Sequence, residues 1–262
     1  MTTDKMIERR DGGVGWLIFN NPAKLNAVSF EMWQATHEIL DDFARDPAVR
    51  VVVVRGAGGK AFVSGADISK FEDERAEAEA VERYNANSEK AYVALLNHAK
   101  PTIAMIEGYC IGGGAGLAVC CDLRVAGEDA RFAIPAAKLG LGYGLSRLRR
   151  LIDLVGPSFA KEIFFTARQF TAAEALTMGL VNRVVPVAEL EAYVTDYAKR
   201  IAENAPLTVN AVKRIVAEAM KDPDERDQAL CDRLVAECFA SQDYVEGRRA
   251  FMEKRKPVFT GR

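Results

Sequence analysis

Histidine is nearly absent: His37 and His98 are the only two in 262 residues. Both fall in helical patterns, where they read as structural. Neither stands at a zinc-ligand spacing from the five cysteines, Cys110, Cys120, Cys121, Cys231 and Cys238, and no CxxC pair occurs. An odd cysteine count without metal spacing suits reduced, mostly buried thiols and points to a cytoplasmic location. An excess of one charge is lacking too. Thirty-five basic residues meet 37 acidic ones for a formal net charge of −2, which excludes the basic stripe expected of a nucleic-acid binder. No run approaches the roughly 18 apolar residues of a membrane span, and the polar opening MTTDKMIERRDGG lacks the apolar stretch of a secretory signal. The chain also lacks repeats, the G-x-G-x-x-G dinucleotide fingerprint and a Walker lysine. These absences leave a small-molecule substrate. The length suits one large domain, or a core plus a small appendage, and 49% hydrophobic residues can fill it.

The first half alternates strand and helix signals. Val14–Phe19 reads as a strand closed by Asn20-Asn21-Pro22. Ser29 is placed to cap a helix reaching about Arg45, with Met32, Ala35, Ile39, Leu40 and Phe43 on one face. Asp46-Pro47 ends it. The β-branched run Val49–Val54 and the segment Thr102–Ile106 predict strands buried on both faces. Residues 71–83 are strongly charged and read as a solvated helix, with a mobile lid as the alternative, and Tyr84–Asn97 continues as an amphipathic helix. A short strand is expected at Asp122–Ala126 and a loop over Phe132–Leu145. Beyond residue 145 the pattern is helical, with a capping box at Thr171–Glu174 and a helix start at Asp222–Glu225. An α/β fold with a largely parallel core follows, giving way near residue 200 to a helical unit, so that 1–200 form the core and 201–262 the C-terminal region.

Two glycine-rich turns carry the chemistry. Ser64-Gly65-Ala66-Asp67 and Gly112-Gly113-Gly114 each follow a strand. Glycine lets a ligand approach backbone closely, and a helix start supplies unpaired N–H donors with a positive dipole end. Two such donors suit the oxyanion formed at a thioester carbonyl, at about 3 kcal/mol per donor.

The blocks Asn21-Pro-Ala-Lys-Leu-Asn-Ala27, Ala61–Asp67, Ile106–Gly114, Cys121-Asp122, Thr171–Val181 and Glu246–Pro257, in this order and spacing, resemble the crotonase (enoyl-CoA hydratase/isomerase) superfamily over essentially the whole chain. The resemblance implies a β-β-α superhelical core, a C-terminal helical trimerisation region, and a homotrimer or homohexamer. It implies an acyl-CoA substrate with no separate cofactor, and an oxyanion hole from the N–H groups of Ala66 and Gly113. It implies further that Lys24, Leu25, Ala61, Ser64 and Ala66 receive the coenzyme A moiety. Lys254 is expected to reach its phosphates from a neighbouring subunit.

The family's hydratases carry two glutamates, one two residues after the glycine triplet and one directly after the loop proline. Gly116 and Ala136 stand there in this chain. Tyr143, three residues after Leu139-Gly140, is the favoured replacement, as a hydrogen-bond donor or weak acid. A tyrosine at this offset is similar to the family's decarboxylating branch, exemplified by methylmalonyl-CoA decarboxylase, although that branch has histidine where Ala66 stands. The expected activity is therefore that of an acyl-CoA lyase of the hydratase type. The alternatives are decarboxylation of a short 2-carboxyacyl-CoA and non-catalytic acyl-CoA binding. Lys138, Arg147 and Arg149 read as surface charges, Glu107 as a backbone partner, and Asp67 as a cap for the following helix.

Overall fold

The computed structural model describes residues 3–67 and 78–262. Among these, ten strands form two sheets. The larger contains β1 (Met6–Asp11), β2 (Val14–Phe19), β3 (Val51–Gly56), β5 (Thr102–Ile106), β7 (Leu123–Gly127) and β10 (Arg183–Val185), in the spatial order β1-β2-β3-β5-β7-β10. Only the β1–β2 hairpin is antiparallel; the other pairs run parallel. The smaller sheet orders β4 (Ala61–Val63), β6 (Tyr109–Ile111), β8 (Arg131–Ala133) and β9 (Phe170–Thr171), with β9 antiparallel to β8.

Three times the chain steps from a strand of the large sheet to one of the small sheet: β3 to β4, β5 to β6, β7 to β8. The second step runs into the helix Gly113–Cys120, and the third into the short helix Ala136–Leu139. This is the β-β-α repeat that the resemblance implies.

Burial on both faces of the large sheet accounts for the apolar runs. Val51 and Val53 pack with Trp16, Ile103 and Met105 beneath Leu190, Val194 and Ala198 of the helix Val187–Ala202. Val52 and Val54 face the opposite way, into the cluster holding Leu17, Ala104 and the inner face of the helix Phe30–Arg45. Successive side chains of a strand alternate sides, so a central strand between two helical layers must be apolar at every position. β1 escapes that requirement. It is the edge strand, largely exposed, and its Arg10 pairs with Asp46 at 2.8 Å and also with Glu8 and Asp42. Charges along an edge discourage pairing with another chain.

The second half is mainly helical: Leu145–Thr166, Ala172–Thr177, Val187–Ala202, Pro206–Ala219, Gln228–Ala240 and Gln242–Met252. Thr171 and Glu174 form the expected capping box. The expected start at Asp222 is instead a single turn of 3₁₀ helix, Pro223–Glu225, and the true cap is Asp227, whose carboxylate accepts from the Leu230 N–H. No helix among the described residues is long and apolar enough to cross a membrane. The stretch 71–83 is helical from Ala78 onward; its first seven residues, and with them the lid expectation, lie outside the described residues.

The helix Gly113–Cys120 passes so close to β4 that a Cβ at Gly114 would overlap the Val63 carbonyl. Gly114→Ala should therefore cost about 1–3 kcal/mol. Denaturant unfolding measures this directly, and an unchanged midpoint would mean that helix and strand separate freely.

Candidate active site

A single parallel β-bridge joins Val28 to Ala66. The Val28 N–H donates to the Gly65 carbonyl at 2.8 Å, and the Asp67 N–H donates to the Val28 carbonyl at 3.0 Å. In a parallel bridge the flanking residues make the bonds, so the N–H of Ala66 itself faces away from Val28. It has no partner among the described residues. The Val28 carbonyl also accepts from the Tyr84 hydroxyl at 3.2 Å, and that oxygen accepts from Trp33 Nε1 at 2.8 Å. Buried tyrosine and tryptophan thus lock the bridge.

The second turn follows β6. The Gly112 N–H donates to the Ala133 carbonyl at 2.8 Å, which fixes the helix entry. Gly113 begins the helix, and its N–H also has no partner among the described residues. Gly65 and Gly112 have φ of 110° and 54°, a region that only glycine enters readily. A Cβ on Gly65 would come within 3.4 Å of the Ile111 carbonyl oxygen and 3.9 Å of the Gly113 nitrogen. The two turns therefore lie side by side, and Ala66 and Gly113 border the same space.

At its far end the same helix is held electrostatically. Arg124 is buried, and its guanidinium donates to the carbonyls of Cys121 at 2.6 Å and Leu180 at 2.7 Å. A cation at the carbonyl end stabilises the helix dipole. Asp122 accepts from the Thr102 N–H at 2.7 Å, its hydroxyl at 2.9 Å and Lys213 at 2.8 Å. The glycine triplet is thus positioned from behind.

The space is a cavity of about 230 Å³, and Ser64, Ala66, Gly113 and Tyr143 line it. Lys24, Leu25, Ala61 and Lys254 do not. Lys24 and Leu25 lie on the adjoining loop, tied to the first turn by the Ser64 N–H donating to the Leu25 carbonyl at 3.1 Å. Asn26, fully buried, was not singled out from the sequence. Its amide donates to the carbonyls of Ala57 and Ala61 at 2.9 and 2.7 Å, and its oxygen accepts from the Asn21 N–H at 2.9 Å. Leu25 and Asn26 take positive φ to make this possible. Lys24 Nζ lies 2.9 Å from the buried Asp67 carboxylate. Lys254 sits on the tail beyond the last helix.

The ionisable side chains lining the cavity, among the described residues, are Tyr84, Tyr92, Tyr143 and Arg147, with no carboxylate. Ala136 is in the wall. Gly116 faces a small inner recess, shared with Tyr92, Tyr143 and Arg147. A Cβ at Gly116 would lie 3.0 Å from the Tyr92 hydroxyl and 3.1 Å from its ring carbon, so Tyr92 occupies the ground that a longer side chain there would need. Tyr92 is buried, packs edge-on to Trp33 at 5.2 Å, and donates to the Gly113 carbonyl at 3.2 Å. Tyr143 packs edge-on to Phe164 at 4.8 Å. Burial raises both phenols above the ordinary tyrosine range, against the opposing pull of Arg147.

Arg147 corrects the sequence reading, which put it on a helix surface. It lines the cavity, bonding Glu89 through Nε at 3.1 Å and Ser88 Oγ through Nη2 at 3.2 Å. Its sequence position, in the first turn of a helix, carried a signal: a cation there opposes the helix dipole. Arg149 does pair along the surface with Asp153 at 2.8 Å. His98 is structural, its ring nitrogens 3.1 Å from the carbonyls of Lys100 and Leu40. Glu107 is partly buried, which raises its carboxyl above the usual range. The three cysteines of the central region are buried.

The Tyr92–Gly116 contact is testable. Gly116→Ala should lose about 1 kcal/mol or more through overpacking, and should lose less in a Tyr92→Leu background. Additive losses in a double-mutant cycle would show that the two positions do not compete for space.

The enoyl-CoA hydratase/isomerase family model matches residues 9–262. The short-chain-enoyl-CoA hydratase of Clostridium acetobutylicum is 34% identical over 98% of this chain and 97% of its own. The crotonyl-CoA hydratase of Syntrophomonas wolfei is 36% identical over 99% of both. A crystal structure of an enoyl-CoA hydratase/carnithine racemase from Magnetospirillum magneticum superposes with a TM-score of 0.95 at 36% identity, covering 100% of this chain and 97% of that one. With the two glycine turns set as described, the chain belongs to the enoyl-CoA hydratase/isomerase family.

Proposed function

We propose that the chain is an acyl-CoA lyase of the hydratase type, which polarises a thioester carbonyl between the N–H groups of Ala66 and Gly113 and adds water to, or removes it from, the adjoining carbon–carbon bond. The observation that carries this is a pair of backbone donors, unpartnered among the described residues, on two residues that line one cavity. As water attacks the β-carbon, negative charge moves to the thioester oxygen, where both donors meet it. The enolate then takes a proton at the α-carbon. Tyr143, its phenol raised by burial, is the donor, and the proton released by the attacking water restores it. The names of the relatives, all three of which include a hydratase, favour water chemistry. The lack of a carboxylate among the described lining residues supports a second reading, loss of CO₂ from a 2-carboxyacyl-CoA, which a CO₂ assay separates from hydration.

The coenzyme A portion lies along Lys24, Leu25, Ala61, Ser64 and Ala66, and no separate cofactor takes part. The ties between the Lys24–Leu25 loop and the first turn support this path. Residues 201–262 form an oligomerisation region. Its exposed Val212, Val216, Phe239, Phe251 and Met252 are covered by further copies of the chain in a homotrimer or homohexamer, and Lys254 meets the coenzyme's phosphates across that interface. Five unpaired cysteines fit a reducing cytoplasmic compartment.

Ala66→Pro removes one donor. It should lower turnover of a 2-enoyl-CoA about 10²-fold or more in a variant whose circular dichroism is unchanged; wild-type turnover would remove Ala66 from the site. Tyr143→Phe should lower kcat by about 10² or more with little change in KM, and an unchanged kcat would assign the proton to another group. Light scattering at micromolar concentration should give three or six chains, and a monomer would exclude the role given to Lys254.

A further inference from the structure

Arg147 is the one side-chain cation among the described residues lining the cavity, and no carboxylate there faces it. Its ion pair is with Glu89, which stands behind it and is shared. Arg150 Nη2 reaches Glu89 Oε1 at 2.6 Å, and Arg147 Nε reaches Glu89 Oε2 at 3.1 Å. Burial works to raise the Glu89 carboxyl, but the Arg150 and Arg147 guanidiniums hold it below the usual range. Two guanidiniums on one carboxylate leave one positive charge over. The leftover donor can be identified: Arg147 spends Nε on Glu89 and Nη2 on Ser88, while Nη1 has no partner among the described residues.

The backbone adds to the same field. Arg147 lies in the first turn of the helix Leu145–Thr166, which has Gly144 as its N-cap, no side-chain cap and no acidic residue in that turn. A helix start is already the positive end of the dipole, so a cation there is disfavoured unless an anion arrives to meet both. The guanidinium is fixed over the Tyr92 ring, 5.2 Å from its centroid, and the Tyr143 phenol, kept protonated by burial, is a further donor on the same wall. A plain alkyl tail filling this space would strip water from the guanidinium and return nothing.

We infer that Arg147 reads a carboxylate on the acyl portion of the thioester, so that the preferred substrates are coenzyme A half-thioesters of dicarboxylic acids and not simple fatty enoyl thioesters. This rests on the acyl-CoA reading of the cavity and adds the substrate class to it. A charge-assisted hydrogen bond between guanidinium and carboxylate is among the stronger polar contacts available. Removing the carboxylate's charge removes that contact without changing the rest of the ligand.

The test is calorimetric binding of saturated acyl-CoAs, which need no turnover. The series runs from malonyl-CoA to adipyl-CoA, each paired with its ω-methyl ester, with free coenzyme A alongside. At least one acid should bind the wild type 10-fold or more tighter than its ester. Arg147→Met should bring that ratio close to one, and Arg147→Lys should keep part of it. Acids that bind no tighter than their esters to the wild type would overturn the inference even if no variant folds, as would a preference that survives Arg147→Met. If free coenzyme A and every thioester fail to bind, the acyl-CoA reading falls and takes this inference with it. If all thioesters bind but without preference, only the role of Arg147 is lost.

Discussion

The proposed site depends on one constraint: two backbone N–H groups, without partners among the described residues, must stay available inside protein. Buried donors normally find partners, because leaving one unmade costs about 1–3 kcal/mol. Here the neighbours take the bonds that Ala66 and Gly113 forgo. Val28 bonds the residues on either side of Ala66, and Ala133 takes the Gly112 N–H just before Gly113. Tyr84 holds the Val28 carbonyl and is itself held by Trp33, and Arg124 holds the opposite end of the glycine-rich helix. The donors are therefore fixed before any ligand arrives, the condition under which they stabilise developing charge without reorganisation.

Much of this was legible because it rests on residues with narrow conformational or packing meaning. The runs Val51–Gly56 and Thr102–Ile106 are apolar at nearly every position, since helices cover both faces of the sheet. The triplet Gly112–Gly114 marked a close approach, and the structure supplies the reason at Gly114, where the strand β4 leaves no room for a side chain. Edge and rim elements were less legible. The strand β1 is polar because it is exposed. Strands β6 and β8 are three residues each inside glycine- and proline-punctuated stretches, too short for a period to register. The cap at Asp227 competed with a better-looking pattern at Asp222, where proline starts only a 3₁₀ turn.

Arg147 and Tyr92 illustrate a different difficulty. Each lies in an amphipathic helical pattern, and sequence spacing gives the face of a helix but not what the face meets. Tyr92 falls on the buried side, where it reads as core, yet its hydroxyl meets the carbonyl of Gly113 and crowds Gly116. Arg147 falls at a helix start and faces the cavity because the loop Gly140–Gly144 delivers the helix to its rim. The result is a cavity whose ionisable lining side chains, among the described residues, are three tyrosines and one guanidinium, beside the two backbone N–H groups proposed to hold the thioester oxygen. That composition suits anions and enolates, in keeping with the proposed chemistry.

The central claim concerns the thioester carbonyl, and its stretching frequency reports on it without relying on turnover. A saturated acyl-CoA carrying carbon-13 at the carbonyl, bound to the protein and followed by isotope-edited infrared difference spectroscopy, isolates that one bond. Two preset donors should shift the band to clearly lower frequency than in water, and Ala66→Pro should recover part of the shift. A bound thioester whose carbonyl band stays at or above its frequency in water would contradict the account.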